Sequence, residues 1–162
     1  MPFTPLHMGP GLVVKACMQS AFSLMVFGWT QILIDIQPLI VMITGKGELH
    51  GFSHTYIGAT FIAIVSALSG KYLGEIGLRI FRMSEYNPIG WRVAIASAFI
   101  GGYSHVFIDS IMHSDITPLS PFSDKNIFYG VVNIDTLHIL CIVSAAVGGV
   151  GFYMIERIQK NA

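Results

Sequence analysis

The chain has 162 residues, enough for one compact domain, with 53% hydrophobic and 11% charged residues and no net charge. A soluble domain carries about 25% charged residues, so this composition, with a mean hydropathy of +0.66, excludes an ordinary soluble protein and reads as an integral membrane protein. Neutrality excludes a nucleic-acid binder, which needs a basic surface.

The start, MPFTPLHMGPG, has no basic region ahead of an apolar run, so it does not read as a secretory signal peptide. A transmembrane helix needs about 20 apolar residues to cross about 30 Å, and five such segments are predicted. The first covers residues 11–27, opened by Pro10, with Lys15 near one end and able to snorkel. The second covers 29–44; it is short, interrupted by Asp35 and Pro38, and open to a re-entrant reading. The third covers 52–69. After it, KYLGEIGLRIFRMSEYNP predicts a basic amphipathic segment at 71–89 on the membrane surface, ended by Asn87-Pro88. The fourth span covers 91–112. The fifth covers 131–155, where Gly148, Gly149 and Gly151 allow close helix packing. Cys17 and Cys141 lack metal-ligand spacing and are expected to pack. The expected fold is a single all-α domain over 1–162, a polytopic bundle of about five spans.

Lys71, Arg79, Arg82 and Arg92 cluster in one connection, and Arg157 and Lys160 in the tail. The positive-inside rule makes both cytoplasmic. The 45–52 and 113–130 loops then face outward, and five spans put the N-terminus there too. His7, His50, His54 and the end of the fourth helix thereby share one membrane face.

The chemistry sits on that face. His105 and Asp109 are four apart, so they share one side of a helix, and His113 extends the stripe by another turn. Burying such groups in hydrocarbon costs several kcal/mol each. A metal ion compensates His and Asp together; the competing reading is a hydrogen-bonded polar relay between helices. In HGFSH, His54 is expected as a ligand, with His50 folding in through the freedom of Gly51. Asp35, between Ile34 and Ile36, either binds a cation or pairs with Lys15 or a histidine. Gln37 and Pro38 are expected to line the same cavity. His7 joins the set through topology alone, and His138 reads as a buried structural histidine. Asp115, in the loop stiffened by Pro118 and Pro121, is the expected general base.

Together MPFTPLHMGPG, IDIQPL, LHGFSHT and YSHVFIDSIMHSDITPLSPFS resemble the predicted membrane-bound metal-dependent hydrolases of bacterial inner membranes. More distantly, the order His, Asp, His, His-x-x-x-Asp is similar to the zinc-dependent phospholipase C layout. The resemblance implies His7, Asp35, His54, His105 and Asp109 as ligands. The family often carries an acid where this chain has Gln37, and a His-Arg pair where it has Leu49 and His50. The expectation is a Zn²⁺-dependent hydrolase acting on an ester or phosphoester of a lipid or lipid-linked substrate that enters from the bilayer. The alternatives are an ion- or proton-translocating protein and a non-catalytic subunit of a membrane assembly. Association with a second copy stays open.

Overall fold

The computed structural model describes residues 5–161; residues 1–4, the first part of the MPFTPLHMGPG start, and residue 162 lie outside it. A 3₁₀ turn at Pro5–His7 leads into α1 (Met8–Met18), and a second at Gln19–Ala21 leads to α2 (Leu24–Thr44). A third, at Phe52–His54, precedes α3 (Tyr56–Ile80); α4 (Trp91–Met112) and α5 (Ile134–Asn161) follow. A fourth 3₁₀ turn, Ser84–Tyr86, lies between α3 and α4; the described residues are otherwise loops, with no strand. The helices α2 to α5 are long and apolar enough to cross a membrane.

The predicted first span does not form as one helix. α1 has 11 residues, about 16 Å at 1.5 Å per residue, roughly half a bilayer. The chain then turns a corner, with Gln19 at a positive φ of 47°. The Lys15 ammonium closes that corner by donating to the Gln19 and Phe22 carbonyls at 2.8 and 2.9 Å. Ser23 then opens α2 as an N-cap, accepting from the Val26 amide. The segment expected to be short or re-entrant is instead the later part of a full 21-residue helix. Pro38 lies inside it; transmembrane helices tolerate proline because neighbours re-satisfy the freed carbonyl. Gly45 ends α2 in the left-handed conformation, φ 66°, which glycine reaches without a Cβ clash.

The Thr55 hydroxyl caps α3 by accepting from the Gly58 amide at 2.9 Å. α3 then runs through to Ile80, so residues 71–80 of the expected surface segment continue the spanning helix. A Lys71–Glu75 pair at 2.6 Å holds its last turns together. Only 81–90 forms the connection to α4.

Two packing units result. α2, α3 and α4 share a core of Val26, Ala63, Ala67, Ala94 and Ala98, sealed by Leu78 and Ile89. Small residues let these backbones approach, and polar pairs join them: Thr30 to Ser66 at 2.6 Å, Trp29 Nε1 to Ser69 at 2.9 Å, and the Ser23 amide to Ser97 Oγ at 2.8 Å. α1 instead lies along α5, Gly9 against the Cys141 carbonyl and Gly148 against the backbone of Leu12 and Val13. The two run parallel. The rest of α5 presents Ile139, Leu140, Val143, Val147 and Val150 outward, as a lipid-facing surface would. Cys141 is buried as expected, but Cys17 is exposed.

Because α2 and α4 end where α3 and α5 begin, the 45–55 and 113–133 loops share one end of the bundle. Thr30→Val keeps the shape and deletes the hydroxyl from the fully buried Thr30–Ser66 pair. Its expected cost is about 0.6 kcal/mol, the average for such bonds in membrane proteins, read as a small drop in detergent unfolding midpoint.

Candidate metal centre

Four elements deliver the site. α2 supplies Asp35, the turn at Phe52–His54 supplies His54, α4 supplies His105 and Asp109, and the turn ahead of α1 supplies His7. The loop at 48–53 is tied to α2 by Gln37, which accepts from the Ser53 amide at 2.8 Å and donates to the Glu48 carbonyl at 3.3 Å. Gln37 thus clamps backbone rather than lining the cavity expected for it. The loop after α4 is pinned by the Pro118 carbonyl, which accepts from the Tyr56 amide at 2.9 Å, and by Asn126, which donates to the Ser110 and His113 carbonyls.

Asp109 is the hub. Its Oδ2 lies 3.1 Å from His105 Nε2 and 3.3 Å from His54 Nε2, and its Oδ1 lies 3.2 Å from His7 Nε2. Asp35 Oδ1 lies 3.3 Å from His105 Nε2 and 3.8 Å from His54 Nε2. Of the alternatives open for Asp35, the histidines are the partners the fold brings; Lys15 turns to the carbonyls at its own corner. All five side chains are buried, none above 5% exposed.

The imidazole orientations carry the chemical information. Among the described residues, Nε2 of His7, His54 and His105 is buried without a hydrogen bond. A buried polar atom left in that state costs about 1–3 kcal/mol. The other ring nitrogens are occupied. His105 Nδ1 donates to Gln31 Oε1 at 2.6 Å, and Gln31 is itself fixed by donating from Nε2 to the Gly101 carbonyl at 3.0 Å. His54 Nδ1 is hydrogen-bonded to Ser53 Oγ at 2.9 Å. A proton held on Nδ1 leaves Nε2 with a free lone pair, the form that ligates metals. Burial holds the His54 pKa below its ordinary 6.5, with Asp109 pulling the other way, which favours that neutral form. Ligand atoms of Asp35, His54, His105 and Asp109 lie within 4.8 Å of one another, so this buried cluster is able to hold a metal ion.

Neither Gln31 nor Ser53 was among the expected site residues. The signal available for Gln31 is its spacing: it precedes Asp35 by four, on the same face of α2. Gln31→Leu removes the acceptor on His105 Nδ1, and an affinity loss of 10–100-fold for the ion is expected, the size seen for such supporting residues. A competition titration against a chelator dye measures it.

His50, His113 and Asp115 lie outside the buried four and form a second group, their ligand atoms also within 4.8 Å of one another. His50 Nδ1 and Asp115 Oδ2 are 2.8 Å apart, and the His50 and His113 rings lie 4.4 Å apart at 31°. The two groups adjoin, with the His50 and His54 rings 4.9 Å apart. Beside the second group opens a cavity of about 850 Å³, lined by Glu48, His50, Phe52, Ile57, Asp115 and Asp124 among others. His138, expected to be buried, is only half-buried on α5.

The model of the YdjM inner membrane protein family matches residues 15–161. The chain belongs to that family. The match takes in Asp35, His54, His105 and Asp109 and begins after His7. No curated protein and no solved structure matches the chain. Family and apolar helices agree on an integral protein of the inner membrane.

Proposed function

We propose that this YdjM-family protein is a metal-dependent hydrolase of an ester or phosphoester in a lipid or lipid-linked substrate, with zinc held by Asp35, His54, His105 and Asp109. The observation that carries the reading is the convergence of buried imidazole Nε2 atoms on two buried carboxylates, with the Nε2 of His105 within 3.3 Å of both Asp35 and Asp109. Four ligands at 2.0–2.2 Å around a tetrahedral zinc stand about 3.3–3.5 Å apart, close to three of the four N···O separations, 3.1–3.3 Å, between His54 or His105 and the two carboxylates. Nitrogen and carboxylate donors without thiolate suit zinc.

A zinc ion held by this face of the protein would supply polarisation of a carbonyl or phosphoryl oxygen and a bound water with a pKa near 7. The protein's own residues do the rest. Gln31 holds the His105 tautomer, and Ser53 holds the His54 ring through its Nδ1. Pro118 and Asn126 fix the loop that walls the cavity. Glu48, Asp115 and Asp124 stand on the cavity wall, and one of these carboxylates takes the proton from the attacking water. Phe52, more than half exposed at the cavity edge, gives an acyl chain an apolar approach from the bilayer. Arg79, Arg82, Arg92 and Arg157 belong to the opposite end of the bundle, and the positive-inside rule then turns the site away from the cytoplasm.

The test is turnover of labelled phospholipids and lipid-linked phosphates by purified protein in detergent, with and without chelator. Metal-dependent cleavage supports hydrolysis. Bound metal without cleavage across that panel favours a structural subunit, and ion flux in proteoliposomes favours translocation. Acid also tests the ligand set. Ion retention should fall on acidification, as protons displace the metal from its imidazole and carboxylate ligands.

A further inference from the structure

We propose that His50, His113 and Asp115 form a second divalent-cation position, open to the cavity, and that substrate meets metal there rather than at the buried four-residue centre. The inference rests on the proposed function for its chemistry, but its own observations are separate.

The first is access. The side chains of the buried centre are at most 5% exposed, and four protein ligands close a tetrahedral zinc site. Closed four-ligand sites are structural, whereas catalytic sites have three protein ligands and an open position. His50, His113 and Asp115 are three ligands of the right kind, and two of them, His50 and Asp115, line the cavity of about 850 Å³.

The second is how the group is assembled. His50 is buried, His113 half-buried, and the Asp115 side chain 56% exposed, so the group grades from protein to solvent as the mouth of a site does. A simple His50–Asp115 pair gives no reason for His113 to lie against His50 at 4.4 Å. Two stacked imidazoles repel when both are protonated; a cation between their nitrogens turns the same arrangement into an attraction.

The third is continuity. His50 and His54 are separated by one short turn, with rings 4.9 Å apart, so the buried centre buttresses the open one. Asp115 then serves as a ligand, and the proton passes to Glu48 or Asp124 on the same cavity wall.

The experiment is zinc stoichiometry of the full chain in detergent, after equilibration with zinc at neutral pH and removal of free metal by gel filtration. Two zinc ions per wild-type chain are expected. Asp115→Asn changes a half-exposed side chain outside the helices and should fold normally; it is expected to retain one ion and to lose lipid cleavage at least 100-fold. His113→Ala should match it in ion count, with an unfolding midpoint close to that of Asp115→Asn. A wild-type count of one or two that survives both substitutions unchanged overturns the second position and leaves the buried centre standing, whereas a single ion lost in both variants overturns the buried centre instead. A count of zero overturns both.

Discussion

Asp109→Asn is expected to empty the buried centre. The side chain keeps its size, but the carboxylate that faces His105, His54 and His7 at 3.1–3.3 Å becomes a neutral amide. Breaking a buried charge arrangement by removing one partner costs about 3–5 kcal/mol, which corresponds to an affinity loss of about 10²–10³-fold or more. Unfolding midpoints show it most clearly. Wild-type protein that holds an ion is stabilised by mass action and should unfold at a lower temperature once a chelator removes it. The Asp109→Asn variant should unfold lower still, and a chelator should shift it less than it shifts wild type. A variant with the full wild-type chelator shift would place the ion elsewhere.

The second large effect lies away from the ligands. At Gly148 an added Cβ would stand 2.4 Å from the Val13 amide nitrogen and 2.5 Å from the Leu12 carbonyl carbon. Both are backbone atoms and cannot rotate aside. Gly148→Val therefore forces α1 off α5, and α1 is continuous with the turn that carries His7 to Asp109. Overpacking of this kind costs about 1–3 kcal/mol, and more where backbone must move. A fall of several degrees in unfolding midpoint is expected, with weakened ion retention through displacement of His7. Gly149 is the control. Its Cβ would meet nothing within 4 Å, so Gly149→Ala should unfold like wild type. Equal behaviour of the two variants would mean that α1 does not lean on α5 as described.

α4 matches its expected bounds of 91–112 because Pro88 and Gly90 mark its start and the loop after Met112 is polar. The corner between α1 and α2 was hidden because its residues, Cys17 to Phe27, are mostly apolar or small; hydropathy registers burial or lipid, not direction. Pro38 suggested a broken helix, yet α2 continues through it with neighbours on both sides. The α3 extension was hidden for the opposite reason: its charges suggested a surface segment, while Lys71 and Glu75 satisfy each other along the spanning helix itself.

The buried cluster is readable because ionisable groups in an apolar chain are expensive, and that expense does not depend on knowing the fold. The fold brings Asp35, His54, His105 and Asp109 together in a group able to hold an ion. Sequence alone groups His50 and His113 with that one centre, whereas the fold sets them one layer outward with Asp115. Sequence spacing along α4 places His113 two turns beyond His105, but it cannot register that α4 ends at Met112 and that His113 has left the helical stripe. Gln31 is not legible in the sequence, because a lone glutamine in an apolar run carries no signal until its partner across the helix interface is known.

Metal content is the most direct test of the account. Protein extracted in mild detergent without chelator, then analysed by inductively coupled plasma mass spectrometry, should carry at least one tightly held zinc or similar divalent ion per chain. Folded protein that carries none, takes up none on incubation with zinc, and shows the same unfolding midpoint with zinc or chelator would contradict it.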